Sequence, residues 1–343
     1  MQPHITTHPA DRAPILVTGA AGFIGFHVAQ ALLARGERVI GVDNLNPYYE
    51  LRLKHDRLRL LAGPDFTFHQ GDIADRRFTE SLGNAYPGMR GIIHLAAQAG
   101  VRHSRTHPHS YVTANVMGQL CILELARALP DCRHVVYASS SSVYGAEAEV
   151  PFSEDQRVDA PMSLYAATKR ADELLSHSYA LQYGIPLTGL RFFTVYGPWG
   201  RPDMAYFLFA RAIRAGRPIT LFDGGRLLRD FTYIDDIVRG VIASFDRPPT
   251  GTATPARVLN IGNHDARPVL DLVALLEQGL QRKAKIVDQP RPNSDVIATY
   301  ADVSLLESLT SVTPSVNLES GISNFINWLV EWEAPFVTEL GVQ

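Results

Sequence analysis

Thr18-Gly19-Ala20-Ala21-Gly22-Phe23-Ile24-Gly25 is the stretch that decides the fold of this 343-residue chain. It follows the β-branched run Ile15–Val17 and opens an apolar segment with helical periodicity that continues to Arg35. In such a stretch the first glycine permits a tight turn, the second permits close approach to a diphosphate, and the third lets the helix pack on the strand. Free N–H groups at the start of the helix favour an anion. The spacing is G-x-x-G-x-x-G rather than G-x-G-x-x-G. Placed between a predicted strand and a predicted helix, these glycines predict a dinucleotide-binding strand, turn and helix.

An aspartate at the end of the second predicted strand supports this prediction. Asp43 follows Val39–Val42 and lies 18 residues after Gly25, near the separation expected for a carboxylate that holds the adenosine ribose. A carboxylate there would repel a 2′-phosphate, which favours NAD over NADP. A turn or helix-capping role for Asp43 remains the alternative. The other predicted cofactor contacts lie in the glycine turn or near the carboxyl ends of the first strands: Gly19, Gly22, Phe23, Ile24, Gly25, Asn44, Asn46, Asp72, Ile73, Leu95, Ala96 and Ala97.

The first two thirds of the chain alternate short apolar runs with helical patterns, which is typical of a parallel sheet covered on both faces. The predicted strands are Ile15–Val17, Val39–Val42, Phe66–Gln70, Ile92–Leu95, His134–Ala138 and Leu187–Arg191. A long helix is predicted from Leu164 to Tyr183. After about Phe192 prolines and glycines become frequent, and helical patterns remain at Ala205–Ala215, Asp235–Phe245, Val269–Gln278 and Gly321–Trp332.

We therefore predict an α/β fold, a Rossmann-type doubly wound parallel sheet with a smaller C-terminal α/β substrate domain. The change in composition after Phe192 sets the domain boundary. The first domain would span residues 13–191, with a later segment near 233–261 returning to it. The second domain, which is then discontinuous, would span 192–343.

A tyrosine and a lysine four residues apart begin the long predicted helix. Tyr165 and Lys169 would share one face of that helix, and a nearby ammonium group favours the ionised form of a phenol. Lys169 could also donate to a ribose and so fix the cofactor beside the phenol. An isolated Tyr-x-x-x-Lys is common by chance, but this one follows a glycine turn and the serine cluster Ser139–Ser142 at the end of the fifth strand. The serine hydroxyls predict donors to a substrate oxygen, with a simple polar turn as the alternative.

The composition argues against several other classes of protein. With 32 basic and 35 acidic side chains the net charge is -3, which predicts neither a nucleic-acid surface nor a membrane-binding patch. No apolar run approaches the length of a membrane span, Met1–Arg12 lack the apolar core of a secretory signal, and two cysteines indicate no disulfide framework. We therefore expect a cytoplasmic protein. His103, His107 and His109 lie in a loop without a carboxylate or cysteine set, so no metal site is predicted.

Together these motifs resemble the extended short-chain dehydrogenase/reductase family, and in particular its nucleotide-sugar epimerases. The resemblance runs from Ile15 to about Trp332. It implies a catalytic set of Ser140, Tyr165 and Lys169, bound NAD and a UDP-sugar substrate.

The positions that distinguish subgroups of this family carry small hydroxyl side chains here. Related dehydratases have Asp-Glu where this chain has Ser141-Ser142, decarboxylases have a glutamate in place of Ser142, and galactose 4-epimerases usually have an asparagine in place of Thr194. The pattern resembles UDP-glucuronate 4-epimerases. It implies inversion of C4, from UDP-glucuronate to UDP-galacturonate, through a 4-keto intermediate and transient hydride transfer to bound NAD.

The resemblance also implies where the nucleotide sugar binds and how the chain assembles. The implied substrate-binding residues are Ser140, Ser141, Ser142, Thr194, Arg102, Arg201, Phe222, Arg229 and Arg291. The stretch Arg291–Asp295 departs from the shorter Gln-Pro-Gly-Asp usual in this group, which leaves the role of Arg291 open. A homodimer is implied, formed through helices that include Ala114–Leu129 and Leu164–Tyr183.

Three other functions stay open at this point. Two are enzymes of the same family, a UDP-glucose/UDP-galactose 4-epimerase and a UDP-glucuronate decarboxylase. The third is a family member without catalysis that serves as a redox-sensing binding module. The intact set of Ser140, Tyr165 and Lys169 argues against the third.

Overall fold

A parallel seven-stranded sheet occupies the centre of the structure, a computed structural model that describes residues 13–146, 148–292 and 295–339. From one edge to the other its strands are β3 (Phe66–Gln70), β2 (Val39–Asp43), β1 (Ile15–Thr18), β4 (Gly91–His94), β5 (Val135–Ser140), β6 (Leu187–Phe192) and β10 (Ala256–Ile261). All six neighbouring pairs are parallel. The order of the first six strands is that of a doubly wound sheet, so the predicted fold class is confirmed.

The helices follow the predicted pattern and add several short ones. They are α1 (Phe23–Ala34), α2 (Leu51–Leu61), α3 (Arg76–Ala85), α4 (Pro108–Tyr111), α5 (Gly118–Ala128), α6 (Leu164–Tyr183), α7 (Ala205–Arg214), α8 (Ile234–Phe245), α9 (Val269–Leu280), α10 (Ser304–Thr310) and α11 (Leu318–Glu339). None of these helices is long and apolar enough to cross a membrane, within the described ranges. Met1–Arg12, on which the expected location partly rests, lie outside the described residues, as do Asn293 and Ser294.

Both faces of the sheet are apolar because successive residues of a strand point to opposite sides. Leu16 and Ile92 pack in one buried cluster with side chains of α3, α5 and α6. Val17 and Ile93 pack in another with side chains of α1 and α8. With both faces covered, the edge formed by the carboxyl ends of the strands is where a ligand can approach.

Beyond β6 the chain forms two smaller sheets and returns once to the large one. β7 (Thr194–Tyr196), β9 (Leu228–Tyr233) and β11 (Ala266–Pro268) form a three-stranded sheet, and β8 (Pro218–Phe222) pairs in parallel with β12 (Lys285–Gln289). In the chain, α8 and β10 lie between β9 and β11. α8 packs against α1, and β10 extends the central sheet beside β6.

Three sequence predictions are corrected. β5 runs two residues past the predicted end, so Ser139 and Ser140 lie in the strand, because they pair with the last two residues of β6. β7 forms at Thr194–Tyr196, where no strand was predicted, because its partner β9 is distant in the chain. The last helix is longer than the predicted Gly321–Trp332 at both ends.

Candidate active site

A cavity of about 520 Å³ lies along the carboxyl edge of the central sheet. Every residue predicted to bind the cofactor lines it, and so do Ser140, Tyr165 and Lys169. The predicted substrate-binding residues are divided. Ser141, Ser142, Thr194, Arg201 and Arg229 line the cavity, whereas Arg102, Phe222 and Arg291 lie outside its wall.

The glycine turn between β1 and α1 leaves no room for side chains at its glycines. Gly19 has a φ of +70°, and a Cβ there would lie 2.8 Å from the backbone nitrogen of Ala96. A Cβ at Gly22 would lie 2.9 Å from the carbonyl oxygen of Gly19, and a Cβ at Gly25 would overlap that same oxygen. Gly22 donates its N–H to this oxygen at 2.8 Å. The start of α1 is therefore held tightly against the ends of β1 and β4.

Asp43 ends β2 with its carboxylate paired to a lysine that sequence reasoning missed. Lys54 of α2 donates to Oδ1 of Asp43 at 3.1 Å, and the N–H of Leu45 donates to the same oxygen at 2.8 Å. Asp43 and Lys54 are both buried and both line the cavity. Asp43 thus also makes the turn contact that was its alternative role. Because neither contact involves Oδ2, that oxygen can accept from a ligand hydroxyl.

Tyr165 and Lys169 lie in the first two turns of α6, whose start is capped by Ser163. The Ser163 hydroxyl accepts a backbone N–H three residues on, at 3.1 Å. The Lys169 ammonium donates to Oδ2 of Asp172 at 3.1 Å, and both side chains are buried. Asp172 was missed because nothing in the sequence distinguishes it from an ordinary polar residue of a helix.

The serine cluster passes from strand to turn after Ser140. Ser140 is the last residue of β5, and a 3-10 turn covers Ser141–Tyr144. The Ser140 Oγ accepts two hydrogen bonds from Ser142, from its N–H at 3.2 Å and from its hydroxyl at 2.9 Å. The hydroxyl hydrogen of Ser140 therefore remains to be donated to a ligand.

A π-helical turn at Val112–Met117 ties the loop after β4 to α6. Asn115 in this turn accepts the N–H of Gln98 at 2.8 Å and donates to its carbonyl oxygen at 3.1 Å. The same amide donates to the hydroxyl of Thr168 at 2.9 Å, between Tyr165 and Lys169 in the chain. Such turns are frequent at functional sites. Sequence reasoning missed this one because the surrounding pattern is helical throughout.

Arg201 is held by an acidic partner that also binds a tyrosine from the loop after β2. Its guanidinium donates to both carboxylate oxygens of Asp203, at 3.0 and 2.5 Å. The Tyr48 hydroxyl donates to Oδ2 of Asp203 at 3.0 Å. Burial and the nearby Asp203 raise the pKa of Tyr48 to about 12. Burial alone would raise the pKa of Asp203, but Arg201 brings it below its ordinary value, so this carboxylate stays ionised.

Three arginines gather around Asp295. Arg102 donates to Oδ2 of Asp295 at 3.0 Å and lies over the ring of Phe222, 4.8 Å from its centroid. Arg291 donates to the backbone carbonyl of Asp295. Burial lowers the pKa of Arg229, and the charges of Arg102 and Arg291 lower it further while Asp295 opposes them. Arg291 also pairs with Asp223 at 3.7 Å, so two carboxylates lie among three guanidinium groups. Net positive charge remains, which suits a diphosphate.

Arg57 of α2 is a further residue that no motif indicated. Its side chain is fully buried. It donates to the carbonyl oxygens of Ala21 at 2.7 Å, Trp199 at 2.6 Å and Gly200 at 3.1 Å, and to the Tyr49 hydroxyl at 2.8 Å. It therefore joins the glycine turn to the loop that leads to Arg201.

In the part of the chain that the structure describes, no group of three or more His, Cys, Asp or Glu side chains is placed to hold a metal ion. His103 and His107 stack on each other with ring centroids 4.0 Å apart. His103 also lies 4.8 Å from the ring of Tyr48, between centroids. These histidines therefore belong to an aromatic cluster beside the cavity.

The lining combines a phenol, a buried ammonium group and a serine hydroxyl with a free hydrogen. That set can move a proton to and from an alcohol oxygen while a donor polarises the same oxygen. The arginines near Asp295 can hold an anionic group of the same molecule.

Comparison with known proteins agrees with this chemistry. The sequence model of the NAD dependent epimerase/dehydratase family matches residues 15–262. UDP-glucuronate 4-epimerase 2 of Arabidopsis thaliana is 47% identical over 327 residues, which are 92% of this chain and 75% of that protein.

Two solved structures share the fold over nearly their whole length. UDP-glucuronic acid 4-epimerase from Bacillus cereus, in complex with UDP-glucuronic acid and NAD, has a TM-score of 0.85 at 34% identity, over 93% of this chain and 99% of that one. UDP-glucose 4-epimerase of Thermotoga maritima, with UDP-glucose, has a TM-score of 0.83 at 27% identity, with the same coverage. Since both folds match about equally well, the side chains of the cavity must distinguish the substrates.

Proposed function

Since the chain belongs to the NAD-dependent epimerase/dehydratase family, we propose that it is an isomerase that inverts C4 of UDP-glucuronate and yields UDP-galacturonate. The observation that carries the proposal is the hydroxyl set of Ser140–Ser142 and Thr194, which lines the same cavity as Tyr165 and Lys169. The 47% identity with an Arabidopsis UDP-glucuronate 4-epimerase supports the same substrate.

The cavity fits NAD. A Cβ at Gly19 or Gly22 would clash with backbone, so the turn presents bare main chain to a diphosphate. Asp43 has an oxygen left for the adenosine ribose, and two of the three donors of Lys169 remain for the other ribose. When bound, NAD supplies a hydride acceptor for C4 and then the hydride that returns to the opposite face of C4. The reaction therefore has no net redox change.

The protein's own residues move the proton at O4. Tyr165 takes this proton as general base and gives it back when the hydroxyl forms again on the other face. Ser140 donates its free hydrogen to O4, because its lone pairs already accept from Ser142. Lys169 holds the cofactor ribose and favours the ionised phenol of Tyr165 through its charge.

The hydroxyl set retains the substrate carboxylate. The 4-keto sugar formed from glucuronate is a β-keto acid, which loses carbon dioxide when the C5–C6 bond aligns with the carbonyl π system. Ser141 and Thr194 make no hydrogen bond through their hydroxyls to any described residue, so both can donate to the carboxylate and hold it out of alignment. Charge-assisted hydrogen bonds of this kind are strong. Ser142 supports them indirectly, since its hydroxyl already donates to Ser140.

The arginines bind the UDP end. Arg229 lines the cavity, and Arg102 and Arg291 bring further positive charge around Asp295. We assign the diphosphate to this group, and the uracil to the backbone of β8, which ends at Phe222. Arg201, paired with Asp203 in the cavity wall, would bind at the sugar end.

Two enzymes of the same family remain as competing activities, a UDP-glucose/UDP-galactose 4-epimerase and a UDP-glucuronate decarboxylase. The fold alone does not separate the first from the proposed activity, since the Thermotoga enzyme matches with a TM-score of 0.83 and the Bacillus cereus enzyme with 0.85. Thr194 argues against the UDP-glucose/UDP-galactose 4-epimerase, because its hydroxyl lies in the cavity where a carboxylate can be bound. Ser142 argues against the decarboxylase, because it places no negative charge there. A redox-sensing module without catalysis is disfavoured because Ser140, Tyr165 and Lys169 line one cavity.

We further propose a cytoplasmic homodimer. Exposed apolar side chains occur along α6 and at the turn before α5: Val112, Met117, Leu174, Leu181 and Tyr183. Both cysteines are free thiols, as expected in a reducing compartment.

The two proposed domains divide the ligands. Residues 13–191 with 233–261 would bind NAD, and the remainder of 192–343 would bind the nucleotide sugar.

Incubation of the purified protein with UDP-glucuronate and no added NAD, followed by NMR, tests the proposal. We expect UDP-galacturonate to appear, because NAD would be retained and regenerated in each cycle. Tyr165→Phe is the matched control and should give no product. A UDP-pentose as the main product, turnover of UDP-glucose alone, or no turnover would overturn the proposal.

A further inference from the structure

The structure places a buried carboxylate directly behind the lysine of the active site. Lys169 and Asp172 have side chains only 3% and 1% exposed, and Nζ lies 3.1 Å from Oδ2. Lys169 lines the cavity and Asp172 does not. The two residues are one helical turn apart on α6, so the contact belongs to the helix itself and does not depend on a mobile loop.

Among the residues that the structure describes, Asp172 has no other strong partner. Its Oδ1 is buried and without a hydrogen bond among the described residues. A buried carboxylate is costly unless it is paired, so Asp172 depends on Lys169. Burial raises its pKa, while the charge and hydrogen bond of Lys169 act against that rise.

The other ionisable groups near this pair are neutral or already paired, so Asp172 is the group that balances the charge of Lys169. His94 on β4 is neutral, because burial and the charge of Lys169 lower its pKa to about 3. Glu173 is bound by Arg191 of β6 and by Arg170. Burial raises the pKa of Tyr137 on β5 and of Tyr111 on α4, so both phenols are neutral. The remaining ionisable groups on elements packed against α6 are engaged elsewhere or exposed: Glu124 with Arg127, Cys121 with the carbonyl oxygen of Ala74, Tyr144 with Asn260, Arg257 with Thr188, His103 with His107, and Arg105 and His109 at the surface.

We propose that Asp172 is a positioning residue that holds the Lys169 ammonium toward the cavity and offsets part of its charge beside Tyr165. The inference rests on the proposed function for the role of Tyr165 as base. A full, unpaired positive charge would favour the phenolate strongly and make it a weaker base toward the O4 proton. With Asp172 behind it, Lys169 still has two donors for a ribose, while the phenolate stays basic enough to accept a proton.

Asp172→Asn tests this, because it keeps the size of the side chain and removes its charge. The ionisation of Tyr165 is followed by phenolate absorbance, as the difference between each protein and its Tyr165→Phe counterpart. We expect this titration to move to lower pH by about half to one unit in Asp172→Asn. The low-pH limb of kcat for UDP-glucuronate should move the same way. Asp236→Asn removes a buried, arginine-paired carboxylate on α8 and is the matched control, with no movement expected.

The absorbance titration needs no substrate, so it tests Asp172 even if UDP-glucuronate is not turned over. An unchanged titration in Asp172→Asn with only a lower melting temperature would reduce Asp172 to a structural residue and overturn the inference. A move to higher pH, or an equal move in Asp236→Asn, would overturn it as well. If Asp172→Asn does not fold, Asp172→Ser gives the same test with a smaller side chain.

Discussion

The guanidinium group of Arg57 donates a 2.7 Å hydrogen bond to the carbonyl oxygen of Ala21, inside the glycine turn. The same group binds Trp199 and Gly200, which precede Arg201 in the chain. No carboxylate of the described residues lies within ion-pair distance of it, so its full charge lies behind the turn that would hold a diphosphate. One side chain of α2 thereby couples the glycine turn to the loop that precedes Arg201, which are the proposed cofactor and sugar ends of the cavity.

Arg57→Met should lower the free energy of unfolding by about 2–4 kcal/mol, because three carbonyl oxygens lose a buried donor. It should also reduce the NAD that stays bound through gel filtration. Urea unfolding and the absorbance of the released nucleotide measure the two effects. Arg59→Met, on the same helix but with a side chain 75% exposed, is the control and should change stability by less than about 0.5 kcal/mol. Equal behaviour of the two variants would refute the coupling.

Tyr165→Phe should lower kcat by about 10²–10⁴-fold, because it removes the general base and little else. The ring that contacts Tyr111 is kept, so folding and NAD content should stay unchanged. Tyr179→Phe on the same helix, whose hydroxyl binds Glu124, should keep full activity. Steady-state rates and nucleotide content measure these effects, and retained activity in Tyr165→Phe would show that another group is the base.

Thr194→Ala should increase the share of UDP-pentose among the products, by about tenfold for a lost charge-assisted hydrogen bond of roughly 1.4 kcal/mol. Ser142→Ala should mainly slow turnover, because it removes a donor to Ser140, and should increase the UDP-pentose share less than Thr194→Ala does. NMR of the product mixture separates galacturonate from pentose. Ser178→Ala, remote on α6, should leave the ratio unchanged. Intact epimerisation without extra pentose in both site variants would refute the role of these hydroxyls.

The protein should lose stability as the pH falls below about 6.5, because buried histidines are neutral in the fold. His134 binds the carbonyl of Phe245 and the hydroxyl of Thr188, both at 2.8 Å. Burial lowers its pKa to about 4, so its contribution is present above the unfolded value and lost as the pH falls through 4. The shift corresponds to about 3 kcal/mol.

His134→Gln should therefore be less stable at neutral pH but show a weaker decline between pH 6.5 and 4. Asp230 acts in the opposite direction: burial raises its pKa to about 6, so its contribution is lost as the pH rises through 6. Urea unfolding at several pH values measures both slopes. The exposed His55 provides the control, and His55→Gln should keep the wild-type slope. Parallel slopes in wild type and His134→Gln would contradict the assignment.

The double variant Leu174→Asp, Leu181→Asp should be monomeric if α6 forms the proposed interface. These side chains are 56% and 58% exposed, and a charge there would oppose burial against a second copy. Sedimentation velocity measures the state. Leu60→Asp changes a leucine of similar exposure, 54%, on α2 and should not alter assembly. A wild-type monomer, or dissociation by Leu60→Asp, would exclude this interface.

Several features were predictable because they depend on local chemistry. The glycine turn follows from spacing, since a positive φ and close backbone contact at Gly19 admit no other residue without strain. The limits of α6 follow from Ser163 at its start and Gly184, with a φ of +67°, at its end. The pairing of Tyr165 with Lys169 on one helix face follows from the helical repeat.

Other features depended on distant partners. The sequence alone determined the doubly wound class, the turn and the reactive pair, because each is encoded in neighbouring residues. The tertiary structure alone decided that Lys54 pairs with Asp43, that Asp172 lies behind Lys169, and that the Arg57 side chain reaches a loop 142 residues away. The physical reason is burial: a charged side chain excluded from water must bind whatever polar atoms the packing of helices on the sheet brings to it.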